Sequence, residues 1–228
     1  GSGLVSVATR PESYSAMAAR EPEIMVKGID KTLEISAMLE NASAVVIGPG
    51  LGSDSWAQQL LVHCLMYQID VKAIPLLIDA DALNLIAARP AIAKLFKALE
   101  TRTATNTHGV VLTPHPGEAS RLVGRKVADR VALIDELVGT YAATIVLKGA
   151  GTLVAQGDQI SVCPYGNPTL ATAGSGDVLS GVIGGLLAQG LETLQAAELG
   201  VCLHAAAADY YLKEYGSRGM TAGDLPDL

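Results

Sequence analysis

The segment Gly174-Ser175-Gly176-Asp177 has the residue types and the spacing of a site for phosphoryl groups. A Gly-x-Gly turn that enters a helix leaves backbone amides at the positive end of the helix dipole, where a phosphoryl group binds well. Asp177 would lie beside those amides and could take a proton from a hydroxyl that attacks phosphorus. An aspartate in a first turn can also merely compensate the dipole, but an anion hole and a carboxylate together favour phosphoryl transfer. The segment is not a P-loop, because no Gly-Lys-Ser/Thr follows it.

A second polar segment, Asp79-Ala80-Asp81-Ala82-Leu83-Asn84, follows an apolar run that ends at Ile78. Two carboxylates and an amide at the end of a strand could bind a metal ion, a ribose or an amine. We expect functional roles for Asp79 and Asn84, whereas Asp81 fits better as the N-cap of the next helix.

A third segment, Thr113-Pro114-His115-Pro116-Gly117-Glu118, places a histidine between two prolines after another apolar run. The prolines stiffen the turn and aim His115 and Glu118, and Glu118 also suits the first turn of a helix. Most histidines are structural, but this placement favours a ligand contact.

A fourth segment, Gly48-Pro49-Gly50-Leu51-Gly52, is rich in glycine. Glycine lets the backbone approach a ligand closely and leaves amides free near a helix start. The same residues are equally typical of a tight turn between a strand and a helix, so this segment alone does not decide between a ligand contact and a turn.

The elements that must position these segments are predicted from the apolar runs. Strands are expected at residues 4–8, 44–47, 73–78, 110–112, 144–147, 152–155 and 160–163. The first five are nearly all apolar, which is typical of strands covered on both faces. The last two alternate in polarity and are separated by the hairpin signal Gln156-Gly157-Asp158. In open α/β sheets ligands bind beyond the carboxyl ends of the strands, so chemistry is expected in the segments described above.

Amphipathic stretches between the strands predict helices, over residues 54–67 and 89–100 among others. Two apolar series mark the faces of two more helices: Val127, Val131, Ile134 and Val138, and Leu199, Leu203, Ala206 and Tyr210. After Asp177, the glycines Gly181, Gly184 and Gly185 would let a helix lie close against its neighbour. The alternation of strands and helices predicts an α/β fold with a mostly parallel sheet and helices on both faces. We expect residues 101–109 and 216–228 to be the most mobile.

Composition limits the classes of function. The 228 residues are 50% hydrophobic and 17% charged, which is enough apolar material for the core of one domain. The net charge of −7 and the lack of a basic run argue against nucleic acid or an anionic membrane as the main partner. Cys64, Cys163 and Cys202 lie far apart, which favours free thiols in a reducing compartment, here the cytoplasm, over disulfides or a zinc site.

Five motifs occur in order along the chain: the three segments that begin at Gly48, Asp79 and Thr113, then Lys148-Gly149-Ala150-Gly151-Thr152, and then a run from Gly166 to Gly181 that contains Gly174-Ser175-Gly176-Asp177. In order and approximate spacing they resemble the ADP-dependent NAD(P)H-hydrate dehydratases, a ribokinase-like family that is often fused in bacteria behind an epimerase domain. The resemblance covers nearly the whole chain. The sequence Thr-Pro-His-Pro-Gly-Glu resembles the form that this segment takes in the bacterial branch of the family, whose members use ADP.

The resemblance implies a metabolite-repair lyase. Its substrate would be the S-form of hydrated NADH or NADPH, which carries a hydroxyl on the nicotinamide ring. ADP would phosphorylate that hydroxyl, and loss of phosphate would yield NAD(P)H, AMP and inorganic phosphate.

The resemblance also implies roles for individual residues. Asp177 would be the catalytic base, and Gly174, Ser175 and Gly176 would form the anion hole. Gly52 and His115 would contact the hydrated dinucleotide together with Asp177. We add Asn84 to this set, because it lies in the polar segment that follows the apolar run ending at Ile78. Lys148, Gly149, Ala150, Gly151 and Thr152 would bind the adenine nucleotide together with Gly176. Glu118 would organise Mg²⁺ through water, so a magnesium requirement is expected.

Assembly and chain boundaries are expectations from the same resemblance. Relatives tend to be homo-oligomers, so a homo-oligomer is expected, with a tetramer as one form. The family fold usually begins with a further strand, glycine-rich turn and helix, a unit of roughly 30 residues. We therefore expect one ribokinase-like domain that lacks its first strand–helix unit.

Two other functions remain open at this point. A ribokinase-like kinase for a vitamin-precursor alcohol would use the same Gly-x-Gly-Asp turn. A non-catalytic nucleotide-binding or oligomer-forming module is the other alternative. Release of free phosphate would separate the dehydratase from the kinase, and replacement of Asp177 by Asn would separate both enzymes from the module.

Overall fold

The computed structural model describes residues 3–103 and 109–228. Within these residues the strands are β1 (Ser6–Thr9), β2 (Met25–Gly28), β3 (Val45–Ile47), β4 (Leu76–Ile78), β5 (Val110–Leu112), β6 (Thr144–Leu147), β7 (Leu153–Gln156) and β8 (Gln159–Val162). The α-helices are α1 (Tyr14–Arg20), α2 (Ser36–Glu40), α3 (Ser55–Asp70), α4 (Ala80–Ala88), α5 (Pro90–Thr103), α6 (Pro116–Leu122), α7 (Arg130–Thr140), α8 (Ser175–Ala188) and α9 (Thr193–Tyr215). Short 3-10 turns lie at Pro11–Ser13, Thr32–Ile35, Pro168–Leu170 and Ala222–Asp227.

The main sheet has the strand order β3-β4-β5-β6-β7-β8. β3 to β6 are parallel, and β7 and β8 extend the sheet as an antiparallel hairpin. The predicted mostly parallel sheet and the predicted hairpin at Gly157 are both confirmed. The carboxyl ends of β3 to β6 therefore lie at the same edge of the sheet, and the segments that follow these strands meet there.

Both faces of the main sheet are covered by helices, as predicted. Successive side chains of a strand point to opposite faces. Leu76 and Ile78 pack in one cluster with α3 to α7, while Leu77 between them packs in a second cluster with α8 and α9. The apolar strands predicted from residue 73 onwards are therefore buried because they separate two layers of helices.

β1 and β2 form a separate two-stranded parallel sheet. A strand predicted at residues 4–8 is present at Ser6–Thr9, but the prediction that it is covered on both faces is wrong, since Leu4 is 83% exposed. The reason is that β1 pairs only with β2 among the described residues and lies outside the main sheet. Arg10 ties this unit to the main body, donating to both carboxylate oxygens of Asp54 at 2.7 Å and stacking on Trp56.

α8 and α9 pack closely through small residues. A Cβ on Gly200 of α9 would lie 2.6 Å from Cγ1 of Ile183, and a Cβ on Gly184 of α8 would lie 2.4 Å from Cγ2 of Val46. The packing role predicted for Gly184 is confirmed. The same prediction is wrong for Gly181, whose missing Cβ would have no neighbour within 4 Å.

The apolar series on α9 faces away from the core. Leu199, Leu203, Ala206 and Tyr210 are exposed, because the small residues of α9 are the ones turned towards α8. In α7, Ile134 is fully buried but Val131 is exposed, and the core face is completed by Leu133 and Leu137 instead.

The two segments expected to be most mobile have different outcomes. Of residues 101–109, positions 104–108 lie outside the described residues, as do Gly1 and Ser2 at the start of the chain. The C-terminal tail packs on the body, where Met220 and Leu225 are buried against Ala208. In the part of the chain that is described, no helix is long and apolar enough to cross a membrane.

Candidate active site

Asp79 lies at the centre of the edge where the parallel strands end. It follows β4 and caps α4, accepting a hydrogen bond from the backbone N–H of Ala80 at 2.8 Å. Its carboxylate also accepts from Lys148 Nζ and from Ser180 Oγ, each at 2.7 Å, and its side chain is 1% exposed. A buried carboxylate needs such partners, because an unpaired charge in the interior is strongly unfavourable. The expectation that Asp81 caps this helix is wrong, since Asp79 is the cap.

Lys148 links β6 to the start of α8. It is the residue after β6, and its ammonium group is held by Asp79. A Cβ added to Gly176 would lie 3.3 Å from Lys148 Nζ, so this ammonium group lies directly against the first turn of α8. The structure therefore brings Lys148 and Gly176, two of the residues predicted to bind a nucleotide, into contact.

Asp177 is exposed in the first turn of α8, as predicted. Its pKa is raised, first because the surrounding protein displaces part of the water around the carboxylate, and next because Asp79 and Asp81 repel its charge. The positive charge of Lys148 opposes this rise. A carboxylate with a raised pKa that stays reachable from solvent is suited to accept a proton.

The backbone at the start of α8 forms the candidate anion site. Gly174 adopts the left-handed conformation with φ of +85°, which favours glycine. The amide of Ser175 is engaged with the carbonyl of Thr172 at 3.3 Å, whereas the amides of Gly176 and Asp177 have no backbone acceptor in the described structure. These two amides at the positive end of α8 are the ones available to an anion.

The side chain of Ser175 is turned away from this anion site. Nε2 of His204 lies 3.0 Å from the Ser175 carbonyl oxygen and 3.2 Å from its hydroxyl. Burial lowers the pKa of His204, so the imidazole is neutral near pH 7 and can donate from Nε2 to the carbonyl. Ser175 therefore contributes to the anion site through the turn of its backbone.

Arg130 holds the loop from Lys148 to Thr152 in place. As the first residue of α7, it donates to the backbone carbonyls of Leu147, Ala150 and Gly151. Gly149 has φ of +149°, and a Cβ there would lie 3.2 Å from the Arg130 guanidinium. Because Arg130 binds the loop carbonyls, the loop has one fixed shape, and Gly149 and Ala150 are exposed to any ligand at this edge.

The glycine-rich segment after β3 has two different parts. A Cβ on Gly48 would lie only 1.8 Å from the Asp79 carbonyl oxygen, so this glycine is required for packing against the end of β4. Gly50 and Gly52 have positive φ and open space around them, and the amide of Gly52 donates to Asp81 Oδ2 at 2.8 Å. The interpretation as a tight turn is therefore confirmed at Gly48. A ligand contact at Gly52 stays a prediction, and the amide of Gly52 is already engaged by Asp81.

His115 caps α6. Its Nδ1 accepts from the amides of Gly117 at 2.9 Å and Glu118 at 3.3 Å, which fixes the neutral tautomer with the proton on Nε2. Nε2 lies 3.5 Å from Glu118 Oε1, and the side chain is half exposed, so Nε2 can still be reached by a ligand while Nδ1 maintains the turn. A structural role and a ligand contact are therefore compatible in this residue.

Glu118 completes the cap from the other side and limits how a metal ion could bind. Its Oε2 accepts from the His115 amide at 2.9 Å, and its side chain is 6% exposed. Within the described residues, no group of three or more His, Cys, Asp or Glu side chains is arranged to hold a metal ion. A Mg²⁺ ion here would need phosphate and water oxygens as its main ligands, with Glu118 acting through water.

Asn84 lies on α4 at the outer side of the site. Its Oδ1 accepts from Arg121 Nε of α6 at 2.8 Å, so it is joined to the His115 turn rather than to Asp79.

Sequence reasoning missed three residues that shape the site: Ser180, Arg130 and His204. Each lies within a helix and reaches the site from the side. The contact of Arg130 is not visible in the sequence, because Arg130 begins α7 and the loop that it holds comes only after β6. Ser180 and His204 have no sequence signal either.

The fold and the site together define a class. The mostly parallel sheet between two helix layers, with a candidate anion site at a helix start and an aspartate beside it, is that of the ribokinase-like proteins. The NAD(P)H-hydrate dehydratase family model matches residues 1–228, and the chain belongs to this family.

Particular relatives agree with this assignment. The chain is 43% identical over 230 residues to the bifunctional NAD(P)H-hydrate repair enzyme Nnr of Coxiella burnetii, covering 99% of this chain and 43% of that protein. It is 42% identical over 217 residues to the ADP-dependent (S)-NAD(P)H-hydrate dehydratase of Neisseria meningitidis, covering 92% and 68%. The Bacillus subtilis ADP/ATP-dependent NAD(P)H-hydrate dehydratase, co-crystallised with ATP/Mg²⁺, superposes with a TM-score of 0.76 at 28% identity, covering 99% and 76%. The chain thus spans less than half the length of the bifunctional relatives.

All three cysteines lie in the described part of the chain and are free thiols there, as expected. Cys64 is buried, which raises the pKa of its thiol to about 12. It is therefore a packing residue in the core cluster beneath α3.

Proposed function

We propose that this chain dehydrates the S-form of NAD(P)H hydrate at the expense of ADP, giving NAD(P)H, AMP and inorganic phosphate. The observation that carries the proposal is the arrangement at the start of α8. Two available amides, the Lys148 ammonium group and an exposed aspartate with a raised pKa lie within one helical turn. Membership of the family and the name of the Neisseria relative support the particular reaction.

The phosphoryl group of ADP is assigned to the start of α8. The amides of Gly176 and Asp177 would hold its oxygens, and the dipole of this 14-residue helix would stabilise negative charge there. Lys148 would neutralise charge that develops on the bridging oxygen as AMP leaves. Asp79 fixes the ammonium group for this role, because it removes the freedom that a flexible lysine otherwise has.

Asp177 is assigned as the base. The hydroxyl oxygen of the hydrate attacks the β-phosphorus of ADP, Asp177 takes the hydroxyl proton, and the bond to AMP breaks. The carbon–oxygen bond of the phosphorylated ring then breaks, phosphate leaves with that oxygen, and loss of a ring proton restores the double bond. In the net reaction the hydrate loses the elements of water, and ADP is converted to AMP and phosphate.

The remaining site residues are assigned to the two substrates. The exposed backbone of Gly149 and Ala150, with Gly151 and Thr152, would bind the adenine nucleotide from the side of the hairpin. Gly52 and His115 Nε2 would contact the hydrated nicotinamide on the opposite side of Lys148, with Asn84 further out. Mg²⁺ bound with the ADP phosphates would supply additional charge neutralisation, and Glu118 would meet it through water.

We further infer that the protein forms a homo-oligomer through the exposed apolar face of α9, formed by Leu199, Leu203, Ala206 and Tyr210. Exposed apolar faces of this extent on soluble domains commonly mark interaction surfaces. Replacing Leu203 by Glu is expected to lower the molar mass measured by light scattering, and an unchanged mass would remove α9 from the interface.

We also propose that the chain works alongside an activity that interconverts the two epimers of the hydrate, since its longer relatives carry the name bifunctional. Free thiols support a reducing compartment, here the cytoplasm.

The test is a product analysis with hydrated NADH, ADP and Mg²⁺. The proposal predicts recovery of the reduced-nicotinamide absorbance with one AMP and one phosphate released for each molecule of NADH. A stable phosphorylated product with no phosphate release would instead identify a kinase. No turnover with either ADP or ATP, while nucleotide still binds, would identify a non-catalytic module.

A further inference from the structure

A groove of about 970 Å³ begins beside the His115 turn, and most of its lining residues have no role in the site described above. It is bounded by α4 on one side and by α6 with the segment leading to α7 on the other. Its volume is at the upper end of the range for small-molecule sites, which is roughly 300–1,000 Å³. It is large enough for half of a dinucleotide.

The inner end of the groove adjoins the proposed substrate site. Asn84 and Gly117 both line it, and Gly117 donates to His115 Nδ1. A Cβ on Gly117 would lie 2.8 Å from the His115 ring and 3.7 Å from Arg121 Nη1. A ligand that contacts His115 can therefore continue past Gly117 into the groove.

The groove is basic, although the chain as a whole carries a net charge of −7. Arg121 lines it at the inner end, where it donates to Asn84. Arg125 and Lys126 also line it, and none of the described side chains that line it is acidic. Glu136 pairs with Arg125 from outside the groove, while Lys126 is exposed and has no ion-pair partner among the described residues. This charge is complementary to a phosphorylated ligand.

The remaining surface of the groove is apolar. Ala87, Ala88, Val127 and Ala128 also line it. Small apolar residues beside a few cations are suited to a flat aromatic ring that carries phosphate. α6 runs along the groove for roughly 10 Å, given seven residues at a rise of 1.5 Å each.

We propose that this groove binds the adenosine half of the hydrated dinucleotide, with Arg125 and Lys126 contacting its phosphates. This inference rests on the proposed function for the choice of ligand. It assigns ADP and the dinucleotide to opposite sides of Lys148, so that the two adenosine groups do not compete for one pocket. Binding energy from this remote half would hold the nicotinamide ring at Asp177.

The experiment compares ligands that contain different parts of the dinucleotide. Calorimetric titration of the full-length protein uses NADPH, reduced nicotinamide mononucleotide and ADP as probes, none of which requires turnover. The variants are Lys126→Ala and the double replacement of Arg125 and Lys126 by Ala. Lys94→Ala on α5, an exposed lysine outside the groove, is the matched control.

The groove variants are expected to bind NADPH about tenfold more weakly for each cationic side chain removed, with the affinities for reduced nicotinamide mononucleotide and ADP changed less than about twofold. Lys94→Ala should bind all three probes like the unmodified protein. Unchanged NADPH affinity in the double variant would overturn the inference. A decrease in ADP affinity alone would also overturn it, because the groove would then belong to the phosphoryl donor.

These outcomes are independent of the proposed reaction. If the protein failed to dehydrate NAD(P)H hydrate but the variants still bound NADPH more weakly, the proposed function would fail and the assignment of the groove would stand.

Discussion

The buried pair of Asp79 and Lys148 allows a test in which a second mutation restores stability. In Lys148→Met the carboxylate of Asp79, 1% exposed, keeps only Ser180 and the Ala80 amide as partners. Removing one member of a buried ion pair commonly costs about 3–5 kcal/mol of unfolding free energy. We expect about 3 kcal/mol here, because two hydrogen bonds to the carboxylate remain.

The opposite single mutant should be less harmful. In Asp79→Asn the Lys148 side chain, 18% exposed, can turn its ammonium group towards water, and asparagine still caps α4. We expect a loss of about 1.5–2 kcal/mol, the lower end of the range for one hydrogen bond to a charged group. The double mutant has no unpaired charge, so it should be more stable than Lys148→Met alone by about 1–2 kcal/mol. The coupling energy is then about 2.5–4 kcal/mol, at or above the upper end of the usual range for residues in contact.

Urea unfolding of the four proteins at pH 7 measures this cycle. The three variants should all lose activity, so stability alone distinguishes the outcomes. Additive losses, with the double mutant less stable than either single mutant, would refute the argument that Lys148 compensates the charge of Asp79.

Three further predictions concern the geometry of the site. Gly176→Ala should lower kcat, because the added Cβ would lie 3.3 Å from Lys148 Nζ. Gly181→Ala has no neighbour within 4 Å of its added Cβ, so it should keep activity and stabilise α8 by about 0.5–1 kcal/mol. Equal activity of the two variants would contradict the contact between Gly176 and Lys148. Arg130→Met should raise KM for ADP more than KM for the hydrate, since three loop carbonyls lose their donor, and equal changes in both KM values would contradict a role confined to that loop. Asp177 must be ionised to act as a base, so kcat/KM should fall as the pH drops through its raised pKa. Asp81→Asn removes a negative charge that raises this pKa, so the fall in kcat/KM should move to lower pH. A shift to higher pH would contradict the assignment of Asp177 as the base.

The parts of the fold that follow from local pattern could be predicted from the sequence. β4, β5 and β6 are short, apolar and buried on both faces, as predicted. The turn at Gly157 has few alternatives, so the predicted hairpin of β7 and β8 is also confirmed, although β8 is largely exposed. The burial of residues 4–8 could not be predicted, because an apolar run indicates a strand without saying which sheet it joins. The orientation of α9 was missed for a related reason: alanine and glycine pack against α8, so the large residues of the helix are on its outer face.

The candidate site was predictable where a segment follows a strand. The order of Asp79, His115, Lys148 and Asp177 along the chain becomes proximity in space because parallel strands end at one edge. That Asp79 caps α4 while Asp81 accepts from Gly52 was not predictable from the sequence. Asp79 has the extended backbone of a cap and accepts from the Ala80 amide, while Ala80 takes a strained positive φ of 48°, and sequence alone gives no sign of this turn.

The central claim is that Asp177 is the base of an ADP-dependent dehydration, and Asp177→Asn tests it most directly. Recovery of reduced nicotinamide from its hydrate is measured with ADP and Mg²⁺, together with ADP affinity by calorimetry and the unfolding midpoint. We predict a loss of turnover of about 10²–10⁴-fold, with ADP affinity kept and stability not reduced, because a carboxylate with a raised pKa is replaced by a neutral group. Turnover within a few-fold of the unmodified protein in a folded variant that binds ADP would contradict the claim.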